Sequence, residues 1–552
     1  MGSFMHPKTT NKWPKFTALV FFLFEIAQAD VFYLDNSAAG ANNGSEGRDA
    51  WQSLSAALTA LNNRPDKGAG HTVIVKAGNG SYGDFTDASS RANYLTFTAA
   101  EGQTPTFSSI TLGIRGTITN SRLRFEGIRI YKPGLMGANQ DAVQLHMVRY
   151  VELKGLDIVA DDFVFDNTSD GIHMFRCSDI VIQKCTFRSL KTRAFDRAIC
   201  AVKPSDNISI DHCDVTQCKF AVVAWGRNWK ITNNHFHHLF SDGIIGACIA
   251  NSIIENNDIH EIEAPVFLEY HQASIYNPSA KTITAAAGAP FSQVQSQDWC
   301  RITVNDLTSE WVMVGSATGS TLTLNKPFDA SFHQGTITKV ECKKKYHCDG
   351  FQMWKGWDRT PTDEFTDDFK VDNIVIRNNK IYDIRGQAYT QCVLWNDFGV
   401  HQACSNITFE NNLLYNAEGG YEFYRQHTDG IVLRNNTIVG VLYCTPNVTI
   451  TKMHNNIIQI FGTRTNVSIL KESHNIVQTW RNGTPSAQTL VLNSEKSFFA
   501  LFADPSRNNY IIQKGSWADD RGNPEEATES DIRGMKRSAF TPDIGAYEIN
   551  NE

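Results

Sequence analysis

The middle of the chain, from residue 143 to residue 442, repeats one short pattern. Each repeat is an alternating apolar strand, an Asn-Asn or other polar pair, and a second short strand, as in ANSIIENNDI (250–259) and DNIVIRNNKI (372–381). Equivalent isoleucines in four repeats are 28, 21 and 23 residues apart: Ile182, Ile210, Ile231 and Ile254. A strand-rich repeat of this length is typical of a parallel β-helix, in which each coil buries its apolar face on its neighbours. A β-propeller is the alternative, but blades of about 40–45 residues with Trp-Asp pairs are missing.

The asparagines mark the bends of these repeats. Asn tolerates the left-handed backbone conformation that a tight corner needs, and its amide can hydrogen-bond to the equivalent amide in the next coil. The pattern therefore predicts an all-β chain, folded as a parallel β-helix with stacked asparagines at one corner.

The other segments are organised around this β-helix. DAWQSLSAALTALNN (49–63) predicts an amphipathic helix that covers the open first coil. After residue 262 the rhythm breaks into short strands with Gly and Asn turns, which predicts a small antiparallel β-domain inserted between two coils. The expected divisions are a signal peptide (1–29), an N-terminal cap with the first coils (30–105), the first part of the β-helix (106–262), the inserted β-domain (263–346), the second part of the β-helix (347–480), and C-terminal coils with a cap (481–552).

The N-terminus has the pattern of a secretory signal peptide. Three lysines precede an apolar run (16–26), and Ala27-Gln28-Ala29 supplies a small-residue cleavage site. The pattern predicts a mature chain that begins at Asp30 and is secreted, either outside the cell or into a periplasm. Glu25 interrupts the apolar run and leaves an uncleaved anchor as the alternative.

The overall charge limits the partners that we expect. The formal net charge is −7 at pH 7, so the whole protein has no electrostatic preference for nucleic acid or for anionic membranes. Local clusters of Lys and Arg remain able to bind an anionic polymer. We expect a monomer that binds neither nucleic acid nor membrane.

One outward position of the coils carries an unusual set of charges. When the repeats are aligned on their inward residues, segments such as SDGIHM (169–174), DRAICAV (196–202) and KFAVVAW (219–225) superpose. Neighbouring members of such a column are about 4.8 Å apart. The predicted column consists of Asp170, Arg197, Lys219, Asp242 and Asp349.

Further polar and aromatic residues are expected beside this column. Tryptophan next to charged groups suits sugars, whose C–H faces stack on indole while their hydroxyls bind charged side chains. The alternative is a salt-bridge ladder on a solvated face, in which each Asp-Gly only forms a turn. The residues predicted to bind substrate are Trp225, Arg227, His347, Asp349, Gln352, Trp354, Lys355 and Arg425.

The repeats, the caps and the export signal together resemble the secreted right-handed parallel β-helix proteins that act on polysaccharides. The ending DIGAYE (543–548) looks like the terminal segment of many bacterial members of that group. HCDGFQMW (347–354) is similar to the His-x-Asp-x-x-Gln coils of proteins related to mannuronan epimerases and lyases. The resemblance implies a right-handed β-helix and a polysaccharide substrate, but it does not determine the reaction.

The motifs of specific families are absent. The polygalacturonase set is reduced to a faint echo at NTSDG (167–171), and RTPTDE (359–364) lacks the second Arg of the pectate lyase motif. The Asp-Pro-His-Glu motif of the epimerases is not found either. The chain therefore resembles the group and no single family within it.

The charged column suits β-elimination on a uronate polymer such as alginate or pectate. The substrate carboxylate must be neutralised, a base must remove the C5 proton, and an acid must protonate the departing oxygen. Arg197 is the predicted carboxylate clamp, Lys219 the base, and His173 or His347 the acid. Asp170, Asp242 and Asp349 are also a candidate Ca²⁺ site, with the ion bridging to the substrate carboxylate.

Three other functions remain open at this point. A glycoside hydrolase would use two of the same carboxylates, Asp170, Asp242 and Asp349, at about 6.5–9.5 Å for an inverting enzyme. A C5-epimerase would share the proton abstraction and return the proton to the other face. A protein that only binds glycans would have the same groove without a competent base.

Overall fold

The computed structural model describes residues 29–136, 140–163, 169–191, 193–272, 274–344, 348–354, 371–385, 391–396, 404–417, 420–424, 428–444, 447–465 and 467–549. The predicted signal peptide lies outside these residues except for Ala29. Within them, most strands pair in parallel with the equivalent strand of the next coil, which is the predicted β-helix. The coils form three long sheets, here called sheets 1, 2 and 3.

Sheet 1 carries the predicted charged column. The strand Asp242–Glu255 begins in sheet 1 and continues into sheet 2. The strands Thr437–Cys444, Ile457–Thr463 and Ile476–Arg481 begin in sheet 3 and continue into sheet 1. In chain order, the strands of sheet 1 are Asp84–Asp87, Ser109–Leu112, Val143–His146, Asp170–Phe175, Arg197–Ala201, Phe220–Arg227, Asp242–Glu255, Asp349–Trp354, Gln391–Asn396, Gly420–Tyr424, Thr437–Cys444, Ile457–Thr463 and Ile476–Arg481.

Sheets 2 and 3 complete each coil. Sheet 2 contains Val31–Leu34, Thr72–Val75, Leu95–Ala99, Thr119–Glu126, Val148–Lys154, Ser178–Gln183, Asp206–Asp211, Lys230–Thr232, Asp372–Arg377, Cys404–Glu410, Thr428–Arg434, Val448–His454, Val467–Ile469 and Glu472–Ser473. Sheet 3 contains Thr106–Phe107, Arg129–Met136, Asp157–Phe163, Thr186–Ser189, Asp214–Thr216, His235–Leu239, Asp258–Glu263, Lys380–Arg385, Leu413–Ala417 and Leu490–Val491.

A buried ladder of asparagines lies at the corner between sheets 2 and 3. Each side-chain amide donates a hydrogen bond of 2.9–3.0 Å to the carboxamide oxygen of the next member. The asparagine before each of the first six members has a left-handed backbone, with φ between 53° and 58°. The Asn-Asn pairs therefore do what the sequence predicts. The ladder consists of Asn234, Asn257, Asn379, Asn412, Asn436, Asn456 and Asn475.

Both ends of the β-helix carry additional structure. The α-helix Leu54–Asn62 begins after Ser53, whose side chain accepts a hydrogen bond from the Ala56 N–H. Its buried leucines join the main core, so the helix covers the first coil as predicted. Near the C-terminus lie the helix Glu495–Phe499 and the strands Phe502–Asp504 and Asn509–Ile512. Short 3₁₀ helices occur at Gly47–Asp49, Ala330–Phe332 and Pro505–Arg507.

An antiparallel sheet is inserted between two coils. It has its own apolar core and joins the β-helix after the strand Asp258–Glu263 of sheet 3. An ion pair of 3.1 Å between Lys343 and Glu263 holds its base. Its eight strands are Val266–Tyr270, Ser274–Asn277, Thr282–Ala285, Trp299–Val304, Leu307–Thr308, Val312–Ala317, Thr321–Leu324 and Ile337–Lys343.

Asn379 offers a direct test of the asparagine ladder. Its carboxamide accepts from the amide of Asn257 and donates to Asn412, and all three residues are buried. Asn379→Ala leaves these partners unsatisfied, so we expect the free energy of unfolding to fall by about 3 kcal/mol in a urea titration. The control is Asn378→Gly in the same coil, which keeps the left-handed backbone (φ 57°) and should change stability little. Equal losses in the two variants would contradict a special role for the ladder.

Candidate functional site

The strand register places Phe220 in the charged column, where the sequence prediction has Lys219. Asp170 pairs with Arg197, Arg197 with Phe220, and Phe220 with Asp242. The prediction for Lys219 was therefore wrong by one residue. Residues 220–224 are all buried, so this strand lacks the apolar-polar alternation from which its register could be inferred.

Small residues explain why the column points away from the core. Gly171 follows Asp170, and a Cβ atom added to it would lie 2.5 Å from the carbonyl oxygen of Ala198 and 2.8 Å from the ring of Phe187. Ile172, the next residue, also lies in the core. Because two successive residues face inward, simple alternation breaks and Asp170 points outward. The same position is small in the neighbouring coils, at Ala198, Ala221, Gly243 and Gly350.

The site is centred on the buried carboxylate of Asp170. This carboxylate accepts two hydrogen bonds from Arg197, at 2.6 Å from Nε and 3.0 Å from Nη2. It also lies 2.8 Å from Nδ1 of His173. Asp141 supports it from the preceding coil by accepting the Asp170 N–H at 2.8 Å. Arg197 is thus a fixed cation within the network and does not present these two donors to a ligand.

Asp196 and Lys219 each lie one residue before the column position of their coil. Nζ of Lys219 is 3.6 Å from Oδ1 of Asp196, and Nε of Arg197 is 3.9 Å from Oδ2 of Asp196. Burial raises the pKa of Asp196 to about 6, although both cations act in the opposite direction. Burial and the charge of Asp170 also raise the pKa of Asp141. The site therefore holds two carboxyl groups, Asp141 and Asp196, whose pKa values are raised by burial, a property that suits a general acid.

Two polar atoms of this site are buried without a hydrogen-bond partner among the described residues. They are Nε2 of His173 and Oδ1 of Asp196. Buried polar atoms are normally paired, so each such atom in a native structure calls for an explanation. A bound substrate that supplies the missing hydrogen-bond partners would explain both atoms.

The other predicted acids lie in a separate group. Asp242 and Asp349 pair with each other, and the Asp349 N–H donates to Oδ1 of Asp242 at 2.9 Å. Asp170 is three coils from Asp242, which corresponds to about 14 Å. The prediction of one Ca²⁺ ion bound by Asp170, Asp242 and Asp349 was therefore wrong, because Ca²⁺ ligands lie within about 2.6 Å of the ion. This spacing also removes Asp170 and Asp242 as the paired acids of a hydrolase.

The predicted substrate-binding residues are spread along sheet 1. Gln352 is in register with Ile245, four coils from His173. Trp225 and Arg227 lie at the far end of the strand that begins at Phe220, about 17 Å or more from the column. Nζ of Lys203 lies 5.7 Å from the centre of the Trp225 ring. Outside the described residues are His347, Lys355, Arg425 and the side chain of Trp354.

Asp141, Gln144 and Asp196 belong to the site but were not predicted. Gln144 donates to Asp141 at 3.0 Å and is in register with His173. The segment DAVQLH (141–146) repeats the order Asp, small, apolar, polar of DGIHMF (170–175), and this repeat was the available signal. Asp196 had no such signal, since its position relative to Lys219 depends on the register of strand 220–227.

Comparison with known proteins gives one family match and several solved structures. The model of the right handed beta helix region matches residues 151–306. Pectate lyase Pel9A is 11% identical with a TM-score of 0.38, over 94% of this chain and 96% of that one. The GH136 lacto-N-biosidase from Eubacterium ramulus is 11% identical with a TM-score of 0.38, over 84% and 68% of the chains. The alginate lyase from Paenibacillus sp. str. FPU-7 is 11% identical with a TM-score of 0.29, over 80% and 97%. No curated protein sequence matches.

The matched segment and the three parallel sheets define a right-handed parallel β-helix protein, which confirms the predicted fold class. Similarity to solved structures at these identities and TM-scores does not identify a reaction or a single family. Among the helices of the described residues, none has the length and apolar character needed to span a bilayer.

The raised pKa of Asp196 has a consequence for stability. Its pKa rises from 3.8 to about 6 on folding. Its contribution to the free energy of unfolding is therefore fully present below about pH 4 and is lost as the pH rises through 6. We expect Asp196→Asn to increase the free energy of unfolding at pH 7 by about 2–3 kcal/mol and to change it little at pH 4. Urea unfolding at the two pH values measures this difference.

Asp211→Asn is the matched control with the opposite sign. Burial opposes ionisation of Asp211, but hydrogen bonds from Asn233, His212 and other side chains lower its pKa to about 2. Its contribution is present above pH 3.8 and is lost as the pH falls towards 2. This substitution should therefore destabilise the protein at pH 7. Shifts of the same sign in both variants would contradict the assigned pKa values.

Proposed function

We propose that this protein is a secreted polysaccharide lyase that cleaves a uronate-containing polymer, alginate- or pectate-like, by β-elimination. The observation that carries the proposal is the buried, unpartnered Nε2 of His173, whose Nδ1 lies 2.8 Å from the Asp170 carboxylate and 3.7 Å from that of Asp141, a carboxyl group of raised pKa. β-Elimination on a uronate needs a base, an acid and a cation for the substrate carboxylate. The resemblance to polysaccharide-active β-helix proteins supports the same substrate class.

His173 is the proposed base. Its Nδ1 lies 2.8 Å from the Asp170 carboxylate, and an imidazole that donates through Nδ1 in its neutral form carries a lone pair on Nε2. Arg197 binds the other side of the same carboxylate and fixes its position. Arg197 is therefore a positioning residue in this scheme, and the lone pair of His173 is held ready for the C5 proton.

Lys219 is the proposed partner of the substrate carboxylate. Its ammonium group is largely buried, with 15% of the side chain exposed, and the nearest described acid is Asp196 at 3.6 Å. An ammonium group beside the uronate carboxylate stabilises the enolate-like charge that develops when C5 loses its proton. This role replaces the predicted role of Lys219 as the base, since His173 has the unpartnered nitrogen.

Asp196 is the proposed acid. His173 takes the C5 proton, the C5–H electron pair forms the C4–C5 double bond, and the C4–O bond breaks. Protonated Asp196 gives its proton to the departing glycosidic oxygen. A carboxyl group with a pKa of about 6 is suited to donate a proton at mildly acidic pH.

Glycoside hydrolysis is the second candidate, and one observation favours it. Asp141 and Asp196 both have raised pKa values because both are buried. A general acid of that kind is what glycoside hydrolases use to protonate the leaving oxygen. A hydrolase would leave the sugar ring without the C4–C5 double bond that a lyase forms, so the products distinguish the two reactions.

Export, the polymer partner and the Ca²⁺ ligands are further parts of the proposal. The N-terminal pattern supports export, and the cationic residues of the site support an anionic polymer as the partner of a monomeric enzyme. Asp242 and Asp349, in adjacent coils, stay the proposed carboxylates for any Ca²⁺ that takes part. Parallel assays with Ca²⁺ and with chelator test that point.

The first test follows enoate absorbance while the full chain is incubated with a panel of uronate polymers. We expect absorbance to rise on one polymer, and the rate to fall by about 10²–10⁴-fold in His173→Ala and in Asp196→Asn. Lys219→Met should lose activity as well. The control is Lys230→Met, an exposed lysine of sheet 2, which should keep the full rate.

Three other outcomes would reject β-elimination. New reducing ends without enoate absorbance indicate hydrolysis, and an altered uronate composition without cleavage indicates epimerisation. Retention of polymer without any chemical change indicates a binding protein. Full enoate activity in His173→Ala would reject the assignment of the base.

The pH dependence of the rate tests the proposed acid. Because Asp196 must be protonated to donate, we expect kcat/KM to fall as the pH rises above about 6. The residual rate of Asp196→Asn should lack this decline, since the amide does not titrate. A profile with the same decline in both proteins would assign the titration to another group.

A further inference from the structure

Sheet 3 carries a closed ring of histidines and carboxylates, away from the site on sheet 1. Asp214 lies on the strand Asp214–Thr216, His235, His237 and His238 lie on the next strand, and His260 and Glu261 on the one after. The segment HFHHLF (235–240) had no part in the proposed function. We infer that this ring is a binding site for one divalent transition-metal ion such as Zn²⁺, held by Asp214, His235 and His237.

Three potential ligand atoms lie within 4.8 Å of one another. Oδ1 of Asp214 lies 3.0 Å from Nδ1 of His235 and 3.1 Å from Nε2 of His237. In a tetrahedral zinc site with bonds of about 2.0–2.1 Å, neighbouring ligand atoms are roughly 3.3 Å apart. The two Asp–His distances are within a few tenths of an ångström of that value, and Nδ1 of His235 and Nε2 of His237 lie within 4.8 Å of each other. The two imidazole rings stack at 4.1 Å between centroids, so their side chains must rotate to direct both lone pairs at the ion.

The outer nitrogens of both histidines are also bound. Nε2 of His235 lies 2.9 Å from Nε2 of His260, and Nδ1 of His237 lies 2.6 Å from Nδ1 of His238. Oε2 of Glu261 closes the ring, at 3.4 Å from His260 and 3.0 Å from His238. Partners of this kind orient the imidazoles of metal sites and set their tautomers.

Counting protons around the ring favours a metal ion. The six contacts need six protons, but four neutral imidazoles carry only four, so without an ion two further protons must be held as imidazolium or carboxylic acid groups. A divalent ion at Asp214 replaces the two protons of the Asp214 contacts and leaves four contacts for four protons. His235 then donates to His260, His237 donates to His238, and the last two histidines both donate to Glu261.

The alternative group of His237, His238 and Glu261 also brings three ligand atoms together. With an ion at that position, both contacts to Asp214 still need a proton, and His235 and His237 must supply them. His260 must then donate to His235 and has no proton left for Glu261. The Asp214 group is therefore the better site.

The position of the site suggests what the ion does. Asp214 and His235 have 45% and 48% of their side chains exposed, so an ion can enter from solvent. The ring of His260 stacks on that of Tyr382 at 4.7 Å, which joins the next coil to the cluster. A bound ion would link adjacent coils of sheet 3 and stabilise the folded chain by mass action.

The test is titration of the chelator-treated full chain with Co²⁺ and with Zn²⁺. We expect one Co²⁺ ion with the visible absorption of a tetrahedral site, displaced by Zn²⁺, and a higher unfolding temperature with Zn²⁺. His237→Ala and His235→Ala should abolish both effects. His260→Gln, which removes only an outer partner, should weaken binding by about 10–100-fold.

His212→Ala is the matched control, because His212 is 56% exposed and pairs with a single carboxylate, Asp211, at 2.8 Å. It should bind both ions like the unmodified chain. Equal binding by His237→Ala and the unmodified chain would overturn the inference. Loss of binding in His238→Ala but not in His235→Ala would place the ion in the alternative group and overturn the assignment. The residues of the ring lie on the surface of sheet 3 and His212 lies at the corner that precedes it, and unfolding curves without metal check that each variant is folded.

Discussion

Register between coils is the constraint on which the rest of this structure depends. A strand that slips by one residue against its neighbour turns its core residues outward, so the buried apolar face opposes such a slip. From Asn234 to Asn475 the asparagine ladder adds to this specificity, because each buried carboxamide reaches both the amide and the backbone of adjacent coils. Low polarity around the ladder strengthens these bonds and makes a broken one costly. Every alignment of side chains along the outer faces follows from that fixed register.

The two polar clusters use this regularity in different ways. On sheet 1, acids and bases from successive coils are drawn together by a break in alternation at Gly171, which turns Asp170 outward while it stays buried. Burial then raises the pKa values of Asp141 and Asp196. On sheet 3, left-handed residues at His238 and Glu261 turn two successive side chains outward in each strand, where contacts among histidines replace burial as the organising factor. One scaffold therefore provides a desolvated site and a solvent-accessible one.

The sequence predicts the coils well, because each carries its own alternation and its Asn-Asn bend. It predicts the site in part. Asp170, Arg197 and His173 could be found since their coils share the order polar, small, apolar. Lys219 was placed one residue out because strand 220–227 is apolar on both faces, and the same ambiguity concealed its contact with Asp196. The histidine ring depends on register across three strands of sheet 3, where the local sequence shows only a His-rich segment.

The inserted antiparallel sheet interrupts the chain without interrupting the β-helix. Asp242–Glu255 pairs directly with Asp349–Trp354 and with Asp372–Arg377, so the hydrogen-bond ladder is continuous across the insertion point. The insert has a core of its own and leaves the β-helix at the turn that leads into sheet 1. Such a module can be gained, lost or exchanged by recombination at one turn, with the coils beneath it unchanged. Variation among descendants of this protein would then be concentrated in that module, while the β-helix is inherited intact.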